Sequence, residues 1–199
     1  MQNADLNTWR LSSSLGRRDF ATAGYSGKFR LSRAAAPDQR VAMNIVAKRL
    51  EELGIALPRP AAPVANYVPA VRSGAWLVVS GQLPFGLDGK LAADHVGKLA
   101  PGSAIEPASE AARLCAINVI AQARAVLGDL DRIARVVRVG GFFNVQSTFD
   151  ALPQAMNGAS DLMVQVFGDQ GRHARTTVGV AHLPMNALCE VEAMFEIAP

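Results

Sequence analysis

Cysteine is nearly absent from this chain. Cys115 and Cys189 are the only two, far apart in sequence and each inside a periodic apolar segment. That pattern predicts buried free thiols in a reducing compartment, and we expect a cytoplasmic protein. No Cys-x-x-Cys pair and no histidine-rich cluster points to zinc, so neither metal nor cofactor is expected. Half of the 199 residues are hydrophobic, yet no run approaches the ~20 apolar residues of a membrane span. There is no P-loop, no Gly-x-Gly-x-x-Gly opening a helix, no Gly-x-Ser-x-Gly and no His-Glu-x-x-His. The three histidines, His95, His173 and His182, show no recognisable catalytic spacing. A Ser-His-Asp hydrolase is thus poorly supported. His182, beside a Leu-Pro turn, reads as a surface or hydrogen-bonded residue.

Excess positive charge is lacking too, outside the first residues. The formal charge is +3, but residues 1–40 hold seven basic and three acidic groups, leaving 13 basic against 14 acidic elsewhere. The folded part therefore carries no phosphate-binding footprint, and a nucleic-acid partner is not expected. Residues 1–40 are rich in Ser, Arg, Ala and Gly and have no sustained period. Arg17-Arg18-Asp19-Phe20 resembles a twin-arginine signal, but Ala21 to Gly27 is too short and polar for the apolar core. An Arg- and Ser-rich organelle leader is a second reading. We take residues 1–42 as a disordered or mis-started extension and 43–199 as one domain, since packing periodicity begins at Met43.

From there the elements follow in order. Residues 42–53 predict a short amphipathic helix, with Ile45, Val46, Leu50 and Leu53 on one side and Gly54 as its stop. Pro58 to Pro63 fix a path over the surface. Val68 to Arg72 and Trp76 to Ser80 read as strands about a Ser73-Gly74 turn. Ser80-Gly81-Gln82 closes the second strand, where a small hydroxyl and a glycine would let a ligand approach the backbone. Asp88-Gly89 marks a turn, with a short third strand plausible after it. Residues 105–127 predict the longest helix, striped by Ala108, Ala112, Cys115, Val119, Ala123 and Val126 and ended by Gly128. Its start is ambiguous between a Ser103/Glu106 capping box and Pro107 in the first turn. Ile133 to Val145 is a β-branched strand in which Gly140-Gly141 suggests a bulge or a close backbone approach. Asp150 and Pro153 open a helix running to Gly168, with Leu152, Met156, Ala159, Met163 and Val166 inward. Asn157-Gly158 inside it breaks helix propensity, through function or close packing.

The C-terminal stretch carries two extended segments, about 174–182 and 188–197, around Leu183-Pro184. In the second, Cys189, Val191, Ala193, Phe195 and Ile197 alternate with Glu190, Glu192, Met194 and Glu196, as a half-buried strand requires. The first holds Arg175 in an otherwise uncharged run. Its guanidinium keeps its charge and needs an acceptor, either a substrate carboxylate or a structural glutamate, unless it reaches solvent. The order of elements predicts an α+β two-layer sandwich, a mixed sheet with both long helices on one face. The bare face would be covered by other copies of the chain. Polar groups in interior-looking segments are Tyr67, Ser80, Asn157, Arg175, Thr177 and Glu190.

Val79-Ser80-Gly81-Gln82-Leu83-Pro84, the strand Arg135 to Gly141, Arg175 to Pro184 and Glu190-Val-Glu-Ala193 resemble the Rid family of reactive intermediate deaminases, also called YjgF or endoribonuclease L-PSP. The resemblance runs from about Met43 to the C-terminus, and Asn157-Gly-Ala-Ser-Asp161 is similar to a longer branch of that family. It implies a chorismate-mutase-like fold and a homotrimer with ligand clefts between subunits. It also implies hydrolysis of 2-imino or enamine acids to 2-keto acids and ammonia. By resemblance Arg175 would bind the substrate carboxylate and Glu190 would position the attacking water. Tyr67, Ser80, Gly81 and Asn157 would line the pocket. Thr177 stands where the family commonly has cysteine, which bears on substrate preference. A non-catalytic small-carboxylate binder and an endoribonuclease are the alternatives. One geometric expectation follows. If 174–182 and 188–197 were hairpin partners, Glu190 would lie about 20 Å from Arg175 at ~3.3 Å per residue, too far to share a cleft.

Overall fold

A computed structural model describes residues 44–60 and 66–199. The expected extension 1–42, Met43 and the distal part of the proline connector lie outside the described residues. Three helices and five strands follow in the order α1 Ile45–Glu52, β1 Ala70–Ser73, β2 Trp76–Gln82, α2 Ile105–Leu127, β3 Ile133–Asn144, α3 Leu152–Phe167, β4 Ala174–Val180 and β5 Cys189–Ile197. The sheet order is β1-β2-β5-β3-β4. Only β3 and β4 run parallel, and α3 makes the crossover between them, as a parallel pair demands. The architecture is the expected α+β mixed sheet, with α2 and α3 packed on each other and on the sheet. No helix among the described residues is long and apolar enough to cross a membrane.

The alternation in the last strand has a plain cause. β5 lies between β2 and β3, so one face of it must be core. Cys189, Val191, Ala193, Phe195 and Ile197 are all buried. Each large apolar side chain removed from water there contributes roughly 1.5–3 kcal/mol. The two cysteines are free and buried, and the Cys115 thiol on α2 points at the Cys189 carbonyl 3.5 Å away.

Several expectations need correction. Ile45 and Leu53 are exposed and only Val46 and Leu50 of the α1 stripe are buried. The helix instead enters through Asp131, whose carboxylate accepts from the Ile45 and Val46 amides at 2.8 Å each. Val126 is 46% exposed, whereas Leu127 beside it in the last turn of α2 is buried. The Ser103/Glu106 capping box does not form. Ala104 precedes α2, and Ser103 Oγ accepts from the Ala100 amide. No third strand follows Asp88-Gly89, where a single Phe85–Leu91 bridge stands. The irregularities of β3 fall at 133–135 and 136–138, so Gly140-Gly141 is not a bulge. It is a close approach. A β-carbon on Gly141 would meet the Met156 sulfur, and one on Gly140 would sit 2.8 Å from the Glu192 carboxylate.

Gly158 shows which of its two explanations holds. A β-carbon there would collide with the Ser109 carbonyl of α2. Gly to Ala in a helix gains about 1 kcal/mol by propensity alone, whereas overpacking against backbone costs about 1–3 kcal/mol. We therefore expect Gly158→Ala to lower unfolding free energy by up to about 2 kcal/mol in a denaturant titration, the opposite of the propensity effect. A stabilised variant would mean that α2 and α3 are not in contact at this glycine.

Candidate functional site

The sheet order decides which polar residues meet. Arg175 pairs with Val139, whose side chain is in the core beneath the helices. Glu190 pairs with Phe142, the opposite phase of the same strand. Successive residues of a strand face opposite ways, so Arg175 stands on the helix-covered side and Glu190 on the bare side. β3 lies between their strands. The two are not hairpin partners. Glu190 is level with Val178, three residues from Arg175 and two strands across, roughly 14 Å between backbones.

The predicted residues accordingly divide into two groups. On the helix side, Asn157 and Ser160 are three apart on α3 and so share one face. His173 and Arg175 are two apart at the start of β4 and share one face of the strand. The helix and the strand edge bring these four together. One terminal nitrogen of Arg175 donates to Asn157 Oδ1 at 2.8 Å and to Ser160 Oγ at 3.3 Å. Arg175 and Asn157 are exposed, which corrects their expected interior placement: β4 is an edge strand. No carboxylate among the described residues pairs with Arg175, so the structural ion pair with a glutamate does not form. Both anchors are neutral, so neither compensates the guanidinium charge.

His173 completes this cluster. Its Nδ1 donates to the Gly171 carbonyl at 2.6 Å, which leaves Nε2 as an acceptor for the Ser160 hydroxyl at 3.1 Å. Burial holds the imidazole pKa below its ordinary value, and the nearby Arg175 charge acts the same way, while the Gly171 carbonyl opposes them. His173 is thus neutral at pH 7. Ser160 is not singled out by the sequence, and His173 shows no catalytic spacing there. The signal was present in the two spacings, three on a helix and two on a strand, but it becomes a site only once α3 is known to cover β4.

Thr177 follows Arg175 on the same side, opposite Gly141. Its hydroxyl is buried and has no hydrogen-bond partner among the described residues. On the bare side, Glu190 lies over Gly81, where any β-carbon would collide with its carboxylate. Ser80 sits beside them and donates to the Val68 carbonyl at 3.3 Å. Tyr67 is exposed just ahead of β1. Burial raises the Glu190 pKa, and the charge of Glu192 adds to this. Glu192 is itself paired with Arg138 at 2.9 Å. Elsewhere, buried Asn144 ties the loops together, donating to the Gly97 carbonyl and Asn186 Oδ1 and accepting from Lys98. His182 is exposed. Among the described residues no three His, Cys, Asp or Glu side chains are grouped to hold a metal ion.

Two outcomes follow. A buried hydroxyl with no partner costs free energy, so Thr177→Val should leave stability unchanged or raise it by about 1 kcal/mol in chemical denaturation. A loss above 1 kcal/mol would show that the hydroxyl is bonded after all. Glu190 favours its protonated form in the fold. Its stabilising contribution is full below the ordinary carboxylate range and is lost as pH rises through the elevated value. Glu190→Gln should therefore melt higher than the wild type at pH 7, with the gap closing near pH 4. A gap that widens on acidification would contradict this.

With the geometry in place, known proteins can be set beside it. The family described as "YjgF/chorismate mutase-like, putative endoribonuclease" matches residues 47–197. Protein TCP17 of Trypanosoma cruzi is 46% identical over 158 residues, covering 79% of this chain and 97% of its own length. The crystal structure of Atu1372 from Agrobacterium tumefaciens, a protein of unknown function, is 44% identical. It superposes with a TM-score of 0.70, covering 77% of this chain and 93% of its own. A Shewanella oneidensis MR-1 protein, titled a "putative endoribonuclease", is 37% identical with a TM-score of 0.72, over 76% and 99% of the two chains.

Proposed function

This chain belongs to the YjgF/chorismate mutase-like family, and from that premise we propose that it is a hydrolytic deaminase. Its substrates are reactive 2-imino and enamine acids, and its products 2-keto acids and ammonia. One observation carries this reading: the Arg175 guanidinium is oriented by two neutral oxygens and, among the described residues, paired with no carboxylate. A planar fork held that way suits a small carboxylate, which can take the remaining N–H groups. The carbon of a protonated imine is already electrophilic. Fixing the acid end and directing a water at that carbon supplies the orientation and charge stabilisation the reaction needs.

Glu190 joins the site from another copy. Within one chain it faces away from Arg175, so a cleft holding both requires that the bare face of one copy meet the β4 edge of another. That face offers the surface for it: Val71, Trp76 and Val78 are each 42–50% exposed along β1 and β2, and Val178 lies on β4. We place the bare face of each copy against the β4 edge of the next in a homotrimer with the clefts between subunits. The protein is assigned to the cytoplasm, in keeping with two free thiols. The endoribonuclease name in the family description finds no counterpart in the charge, since residues 41–199 carry 13 basic and 14 acidic groups.

The test is keto-acid release from a 2-imino acid generated in situ by an amino-acid oxidase. Purified protein should exceed the buffer rate. Arg175→Ala should fall to that rate, and Arg175→Lys should lose about tenfold or more because an ammonium cannot reproduce the fork. A wild-type rate equal to buffer, with Arg175-dependent binding of pyruvate in calorimetry, would make the protein a carboxylate binder instead.

A further inference from the structure

A 2-imino acid gripped by Arg175 places its reacting carbon one bond from its carboxylate. That carbon then lies within about 4–5 Å of the guanidinium nitrogens. The groups able to act on it, or on a water beside it, are those already touching that guanidinium. Ser160 Oγ is one of them, 3.3 Å from the arginine nitrogen. It also donates to the free nitrogen of His173. The Gly171 carbonyl fixes the opposite imidazole nitrogen as the N–H and so keeps the acceptor turned toward Ser160. A hydroxyl between a cation and a neutral imidazole of fixed tautomer is built to pass a proton.

We propose that Ser160 and His173 form the proton relay of this site, Ser160 meeting the attacking water and His173 receiving the proton through it. This rests on the deaminase reading of Arg175 and deepens it. The water oxygen bonds to the imine carbon, and the C=N electron pair moves onto nitrogen. The water proton goes to Ser160 Oγ while the original Ser160 hydrogen passes to His173 Nε2, giving a carbinolamine and an imidazolium. The path then reverses. The imidazolium proton returns through Ser160 to the amine nitrogen. The C–N bond breaks with its electrons on nitrogen, the carbonyl forms, and the last hydroxyl proton leaves with ammonia as ammonium. Iminium acid and water give keto acid and ammonium, with no other reactant. Ser160 touches the reacting water; His173 acts through it as a positioning residue.

The groups bearing on His173 are Ser160 from α3, the Gly171 carbonyl from the turn before β4, and Arg175 from β4. Arg172 is paired with Asp169 at 3.4 Å. The relay needs neutral His173, so kcat/KM should be flat around pH 7 and fall only below the ordinary histidine value, as pH drops through the lowered one. His173→Gln can accept the Ser160 hydrogen but cannot take a proton. It should lower kcat about a hundredfold, leave KM near wild type and lose that acid limb. Ser160→Ala should also lower kcat and lose that limb, and it should raise KM because it removes one anchor of Arg175.

The measurement is the pH profile of keto-acid release, corrected for the buffer rate, for wild type, Ser160→Ala, His173→Gln, Glu190→Gln and Arg175→Ala, each checked for an unchanged circular dichroism spectrum. Wild-type kcat and an intact acid limb in the Ser160 and His173 variants would overturn the relay. So would a limb that survives in His173→Gln and vanishes in Glu190→Gln, which assigns the base to Glu190. In both cases the loss in Arg175→Ala would leave the deaminase reading standing. A silent wild type, or full activity in Arg175→Ala, would instead overturn that reading, and the relay with it.

Discussion

A guanidinium that cannot give up its charge, seated on an edge strand and anchored by two uncharged oxygens, is the constraint from which the site follows. Had a glutamate stood within reach, Arg175 would be a structural ion pair. Asn157 and Ser160 orient the fork without neutralising it. Their own placement depends on packing further down. Gly158, between them, lets α3 lie against the Ser109 carbonyl of α2. Gly141 leaves room for Met156. Small residues therefore set the height of α3 above the sheet, and that height sets the distance from its polar face to β4.

The strand order adds a second constraint. By putting β3 between β4 and β5, it sends Arg175 and Glu190 to opposite faces of one sheet. A single chain thus holds two separate polar clusters. One is cationic, with Asn157, Ser160 and His173 around Arg175. The other is acidic, where Glu190 overlies Gly81 beside Ser80. The proposed trimer is the arrangement in which a second copy would bring an acidic cluster to a cationic one.

Much of this could be read from the residues. The alternation from Cys189 to Ile197 and the small-residue stripe of 105–127 are one-dimensional patterns with one physical solution each, and both elements stand where expected. The failures share a cause. Ile45, Leu53 and Val126 fit an apolar period but are exposed, because which apolar positions of a helix are covered depends on its neighbours, which no local period encodes. Arg175 sits in an otherwise uncharged run that left an interior acceptor and a path to solvent both open; the edge position of β4 decides for an exposed side chain. Which face Glu190 takes relative to Arg175 depends on strand order, a non-local property. The Ser160–His173 contact joins residues of different elements and required the crossover geometry of α3 over β4.

The central claim is that Arg175 grips a small acid in a cleft completed by another copy of the chain. A crystal structure of the purified protein soaked with pyruvate tests this most directly. The account predicts the pyruvate carboxylate on the Arg175 fork at a subunit boundary, with Glu190 of a neighbouring copy on the far wall of the same cavity. A fork open to bulk solvent at every subunit contact, or pyruvate bound elsewhere with Arg175 untouched, would contradict it.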